Sequence, residues 1–173
     1  MRYVKPESFE AAATLLRDET GLSRILAGGT DVLVQLKAEM VEPDLMVDLK
    51  HLPGMRDIIA EGGGFRIGAA VSGAEMGEHA ALKDTWPGVV EGVELIGSSQ
   101  VQSRATMAGN LCTGSPAGDS VPAMVTAGAV ARVQGPDGVR DVPVVDIPTG
   151  PGKNSLAKGE FITSIFLPVR PDN

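Results

Sequence analysis

The pair Gly28 and Gly29 lies in Ile25–Val34, where an apolar run changes into a helix-like pattern, and it constrains the fold more than any other feature. This order predicts a strand, a tight turn and the start of a helix, because glycines permit positive φ and close backbone approach. The first amides of a helix lack intrahelical acceptors, so such a turn can bind an anion, typically a phosphate. The alternative is an ordinary strand-to-helix turn with Thr30 or Asp31 as N-cap.

The residues around this turn predict a small N-terminal α/β subdomain over residues 1–52. Apolar residues at helical spacing follow a capping residue, Ser8, and the pattern stops at Gly21. Two strands and a helix complete a unit with a parallel sheet. We predict the strands at Arg24–Ala27 and Leu45–Leu49, and the helix from the glycine turn to about Met40.

Residues 53–173 predict a second, larger α+β subdomain, with helices on an antiparallel sheet, and Pro53-Gly54 as the junction. Glycine-rich turns indicate two hairpins, and Ser72 and Glu75 have the spacing of a capping box. We predict hairpin strands at 55–60 with 65–69 and at 130–134 with 139–145, a last strand at 160–167, and helices at 87–95 and 119–127. Residues 97–118 are predicted to be a long functional loop, since they are polar, small and almost uncharged.

Composition narrows the classes of function. The net charge of −7 argues against a nucleic-acid or anionic-membrane surface as the main partner, and requires that a phosphate be held by backbone dipoles more than by lysines. The single cysteine, Cys112, excludes an internal disulfide and a Cys-rich metal or iron–sulfur site built by this chain alone. With no signal-like or membrane-spanning run, we predict a cytoplasmic protein.

Several catalytic motifs are absent or fail on spacing. There is no G-x-G-x-x-G after a strand, and Thr149–Asn154 lacks the leading glycine and the final Ser/Thr of a phosphate loop. Gly114–Gly118 lacks the register of a nucleophile elbow. His51 and His79 are isolated, so no metal site is predicted. We therefore name no acid, base, nucleophile or metal ligand.

With these motifs excluded, the sequence predicts a binding site made of two loops, the glycine turn and Ser103–Asp119. The second loop offers hydroxyls, an amide and a carboxylate on small residues, which suit a large, hydroxyl-rich, phosphate-bearing ligand. For Thr113 and Ser115 the alternative is turn chemistry, and for Asp119 it is a plain N-cap. Cys112 is expected to be a small buried hydrophobic residue.

Three stretches in this order resemble a known family: Leu26–Asp31, Ala105–Pro122 and Leu156–Ile165. They are similar to the medium, FAD-binding subunit of the molybdenum hydroxylases, a family that includes carbon monoxide dehydrogenase and xanthine dehydrogenase. The resemblance spans the whole chain. It implies an α+β fold of the p-cresol methylhydroxylase or vanillyl-alcohol oxidase type, with FAD held between the two subdomains.

The resemblance also implies which residues bind FAD. The pyrophosphate side would be held by Ala27, Gly28, Gly29, Thr30 and Asp31. The flavin's phosphate, ribityl or ribose side would be held by Thr106, Met107, Ala108, Gly109, Asn110, Thr113, Ser115 and Asp119. Ile96 and Ile162 would lie against the isoalloxazine or the adenine.

For function, the resemblance implies an oxidoreductase subunit. In this family the substrate is oxidised at a molybdopterin centre in a large subunit, electrons pass through two [2Fe-2S] clusters in a small subunit, and the flavin hands them to an acceptor. It implies that this chain carries the FAD domain without the C-terminal domain that follows it in the family. Ala108, where the family usually has glycine, and the early C-terminus favour an alternative, a scaffold that has lost FAD and only joins subunits. A third alternative is another member of the fold superfamily, such as an enolpyruvyl-sugar reductase.

Overall fold

The computed structural model describes residues 1–171, in which short strands and helices alternate. The strands are β1 (Arg2–Val4), β2 (Ser23–Leu26), β3 (Leu45–Asp48), β4 (Ile58–Glu61), β5 (Gly64–Gly68), β6 (Val130–Gly135), β7 (Gly138–Pro143), β8 (Pro148–Gly150), β9 (Lys153–Asn154) and β10 (Phe161–Leu167). The helices are α1 (Phe9–Asp18), α2 (Val32–Lys37), α3 (Gly73–Glu78), α4 (Ala80–Thr85), α5 (Pro87–Glu94), α6 (Ser99–Gln102), α7 (Met107–Thr113) and α8 (Ser120–Thr126), with a 3₁₀ turn at Val144–Asp146.

The N-terminal part forms the predicted parallel sheet, in the order β1-β3-β2. The predicted capping of α1 is confirmed, because the Ser8 hydroxyl accepts a hydrogen bond from the Ala11 amide at 3.1 Å. The first strand, β1, is absent from the sequence-based prediction. It has three residues, two of them exposed, so it leaves no apolar pattern.

The second sheet is antiparallel, in the order β4-β5-β10-β6-β7. Both predicted hairpins are present, as is the final strand, which carries a bulge between Ile162 and Ser164. The predicted capping box is also confirmed, since Ser72 and Glu75 each accept a hydrogen bond from the other's backbone amide. Strands β8 and β9 form a separate two-stranded ribbon.

Two predictions, for segment 97–118 and for the end of the helix after the glycine turn, are wrong in detail. The segment 97–118, expected to be a loop, contains α6 and α7. Helix α2 ends at Lys37, short of Met40, and Glu39 has a positive φ of 55°. Helices α6 and α7 are short and rich in polar residues, so composition is a poor guide to them. Helix α2 cannot continue through Glu39, because a positive φ is incompatible with a right-handed helix.

One continuous hydrophobic core joins the two sheets. It includes Leu16 and Leu45 from the N-terminal part and Ile67, Leu111 and Ile165 from the rest. The division into subdomains 1–52 and 53–173 therefore stays a prediction, and its last two residues lie outside the described range. The shared core places β2, which leads into the glycine turn, near α7.

Candidate functional site

The glycine turn leaves the carboxyl end of β2 and leads into α2. Gly29 has a φ of 80°, a conformation that residues with side chains rarely adopt, so this position favours glycine. Asp31 occupies the N-cap position of α2 but makes no capping hydrogen bond with its side chain. The alternative with Asp31 as N-cap is therefore met in position but not by a capping side chain, and the predicted strand, turn and helix are present.

The second loop is organised by the start of α7. The Thr106 hydroxyl accepts a hydrogen bond from the Gly109 amide at 2.9 Å and so caps the helix, which explains why α7 begins after Thr106. The helix ends at Gly114, whose φ is 62°. Met107 and Leu111 anchor α7 in the core.

The two loops touch each other at two places. A Cβ atom on Gly28 would lie 2.0 Å from the Arg104 carbonyl oxygen, so only glycine allows this close backbone contact. The Thr113 hydroxyl donates a hydrogen bond to the Asp31 carboxylate oxygen Oδ2 at 3.0 Å. The structure thus brings the two predicted loops together along one side of α7.

The adjoining loops offer backbone amides that suit a phosphate. Within residues 1–171, no protein acceptor lies within hydrogen-bonding geometry of the amides of Gly28 to Asp31. In the same part of the chain, the amides of Met107 and Ala108 have no protein acceptor either, although both residues are buried. Successive free N–H groups next to glycine form an anion-binding concavity, so the residues present fit the pyrophosphate of FAD.

The predicted polar side chains mostly have partners within the protein. The Asn110 side-chain oxygen accepts hydrogen bonds from the Ser120 amide at 3.3 Å and hydroxyl at 2.7 Å, which joins α7 to α8. The Ser115 hydroxyl accepts from the Ala117 amide at 3.2 Å. Asp119 stands at the N-cap position of α8, as the alternative predicts, but its side chain makes no capping hydrogen bond.

The predicted apolar contacts divide between core and surface. Ile162 and Met107 are buried, whereas Ile96 is half-buried just after α5. Ala108 is 5% exposed and its methyl group belongs to the core cluster. Ala108, which in the sequence favours a scaffold without FAD, therefore packs into the core.

Sequence reasoning missed the contacts that support the second loop from outside it. The Gly152 amide donates to the Gly114 carbonyl at 2.9 Å, and the Asn154 side chain donates to the Cys112 carbonyl at 2.9 Å. The rejected phosphate-loop segment is thus the β8–β9 ribbon packed on the end of α7. The only sequence signal was a run of turn-forming residues at 149–154.

Two groups near the site, Cys112 and Asp48, have shifted pKa values. Burial raises the pKa of the Cys112 thiol to about 12, so it stays protonated at neutral pH. Asp48 pairs with Leu26 in the sheet, at the start of the glycine turn. Desolvation alone would raise its pKa, but hydrogen bonds from Lys50 (2.7 Å) and Tyr3 outweigh it and hold the pKa of Asp48 below its ordinary value.

In the described part of the chain, no group of three or more His, Cys, Asp or Glu side chains has a geometry that could hold a metal ion. Across residues 1–171, no helix combines the length and the apolar character needed to cross a membrane.

Comparisons with known proteins agree with the fold. The family described as "FAD binding domain in molybdopterin dehydrogenase" matches residues 1–170. The chain is 34% identical over 170 residues to the xanthine dehydrogenase FAD-binding subunit of Escherichia coli O157:H7, which covers 95% of this chain and 58% of that protein. It is 30% identical over 172 residues to the nicotine 6-hydroxylase medium subunit of Paenarthrobacter nicotinovorans, covering 99% of this chain and 60% of the relative.

The solved structures give the same result. CO dehydrogenase from Oligotropha carboxidovorans superposes with a TM-score of 0.92 at 30% identity, over 99% of this chain and 60% of that one. This match confirms the predicted FAD-binding fold. The chain spans about 60% of the length of the relatives it matches. Together, the family match over nearly the whole chain and the adjoining loops mean that this chain belongs to the FAD-binding domains of the molybdopterin dehydrogenases.

Proposed function

We propose that this chain is the FAD-holding part of an electron-transferring flavoprotein subunit in a molybdenum-containing hydroxylase or dehydrogenase. Bound FAD would accept electrons from [2Fe-2S] clusters of a small partner subunit and pass them to an external acceptor, while a large molybdopterin subunit oxidises the substrate. Relatives named as medium chains of carbon monoxide and glyceraldehyde dehydrogenases support this division of labour.

The observation that carries the proposal is the contact between the two loops with their free amides. The amides of Ala27 to Asp31 would hold the pyrophosphate, since backbone dipoles can neutralise an anion in a chain that is itself negatively charged. The segment Thr106–Asn110, with Ser115 and Asp119, would hold the ribityl and phosphate side of the flavin, and the Thr113 backbone would lie beside them at the end of α7.

The remaining assigned residues would contact the rings of the cofactor. Ile96 is half-buried beside the core, so it can cover an apolar ring edge. Ile162 is buried in β10, and it would support the ring side of the site from the sheet. The protein's task is to bind and orient the cofactor and to keep its surroundings dry, because the redox chemistry belongs to the flavin.

The scaffold alternative has less support. A scaffold that had lost FAD does not account for the free amides that both loops present side by side. Ala108 no longer favours this alternative, because its methyl group is in the core.

The test is the composition of the protein purified through a tag from its native cells. We expect flavin absorption bands that survive desalting, with molybdenum and iron in the same fraction. A protein without flavin that also fails to bind added FAD would contradict the cofactor site. Retained flavin without molybdenum or iron would contradict only the proposed partners.

A further inference from the structure

The hydrogen bond between Asp31 and Thr113 points to a role for these side chains that differs from direct cofactor binding. The residues are 82 positions apart in sequence, and each lies on a different cofactor loop. Their side chains make the one hydrogen bond between the two loops for which both partners are side chains in the described part of the chain.

The Asp31 carboxylate is directed away from the role that its position predicts. An aspartate at an N-cap ordinarily accepts hydrogen bonds from the first amides of its own helix, but Asp31 makes none in α2. Its Oδ2 atom instead accepts from the Thr113 hydroxyl at 3.0 Å. A carboxylate is also a poor ligand for a pyrophosphate, since both are anionic.

Thr113 has one hydroxyl hydrogen and two acceptors within reach. The Gly109 carbonyl and the Asp31 carboxylate are each 3.0 Å from its oxygen. A threonine in a helix often donates back to the carbonyl one turn earlier, but an ionised acceptor makes the stronger hydrogen bond. The hydroxyl is therefore available to link α7 to the glycine turn.

We propose that the Asp31 carboxylate and the Thr113 hydroxyl form a latch that positions the two cofactor loops against each other, and that the carboxylate is not a phosphate ligand. The latch fixes the spacing between the amides of the glycine turn and those at the start of α7, so it lowers the cost of ordering both loops around one cofactor. This inference rests on the proposed FAD site.

A double-mutant cycle in the affinity for FAD tests the latch. The variants are Asp31→Ala, Thr113→Val and their combination, with Thr113→Ser as the variant that keeps the hydroxyl. Thr126→Val is the matched control, because the Thr126 hydroxyl also donates to a carbonyl four residues earlier, at 3.1 Å, but has no partner on another loop among the described residues. Circular dichroism and unfolding without FAD check that each variant folds.

We expect Asp31→Ala and Thr113→Val each to weaken FAD binding roughly three- to tenfold, the range for loss of one hydrogen bond. The double variant should be no weaker than either single one, Thr113→Ser should bind nearly as the wild type does, and Thr126→Val should be unchanged. Effects that multiply in the double variant would overturn the latch, because they indicate two independent contacts with FAD. Tighter FAD binding by Asp31→Ala than by the wild type would also overturn the latch. A folded wild-type chain that binds no FAD would overturn the proposed FAD site and the latch together.

Discussion

At the scale of single residues, the site depends on a glycine that allows two stretches of backbone to meet. A Cβ on Gly28 would lie 2.0 Å from the Arg104 carbonyl oxygen and 2.8 Å from its carbonyl carbon. Real Cβ atoms do not approach backbone this closely, so any side chain here must push the loops apart. The constraint is one of space, since Gly28 does not have the positive φ of Gly29.

The variant Gly28→Ala is expected to destabilise the protein by about 1–3 kcal/mol, the usual cost of overpacking, and to weaken FAD binding. Gly88→Ala is the matched control: nothing lies within 4 Å of its added methyl, and it sits in α5, so it should be neutral or stabilise by up to about 1 kcal/mol. Urea unfolding and FAD titration measure both. Equal stability and affinity in the two variants would show that the backbone contact does not matter.

At the scale of elements, the strand that carries the glycine turn is held by a buried carboxylate. Asp48 in β3 is 4% exposed, accepts hydrogen bonds from Tyr3 in β1 and from Lys50, and lies opposite Leu26 in β2. All three strands of the parallel sheet therefore meet at this residue. A buried charge with this many donors is stabilising only while it is ionised.

The pKa of Asp48 is lowered in the folded state, so its contribution to stability is complete above the pKa of an unfolded aspartate, about 3.9, and is lost as the pH falls through the lower folded value. We expect Asp48→Asn to be less stable than the wild type at neutral pH, and the difference to shrink below about pH 4. Tyr3→Phe removes one donor and should act in the same direction with a smaller effect. A difference in the free energy of unfolding between wild type and Asp48→Asn that stays constant from neutral to acid pH would contradict this role of the carboxylate.

The elements also show what can be predicted from sequence. The hairpins and the turn at Gly28 were predictable because glycine and alternating apolar residues are local signals. Helix α7 was not, because Met107–Thr113 contains glycine and asparagine and depends on its Thr106 cap and its buried Leu111. The contact between Asp31 and Thr113 joins positions 82 residues apart, and no local pattern encodes it.

In the molecule as a whole, both loops extend from elements that pack on one hydrophobic core. Residues on either side of position 52 share this core, and α7 packs on β10 and β9. The core therefore holds the strand before the glycine turn near α7, and the contacts between the two loops set their spacing. Under the proposal, a chain with a net charge of −7 would bind an anion through amides rather than through a cluster of lysines.

The proposal that FAD lies on the amides of both loops is best tested by amide hydrogen exchange with and without FAD. We expect FAD to slow exchange at Gly28 to Asp31 and at Thr106 to Ala108 together, because the same ligand covers both sets. The amides of Asp137 and Gly138 in the β6–β7 turn serve as the internal reference and should exchange at the same rate in both states. FAD binding that slows exchange elsewhere and leaves both loops unchanged would contradict the claim.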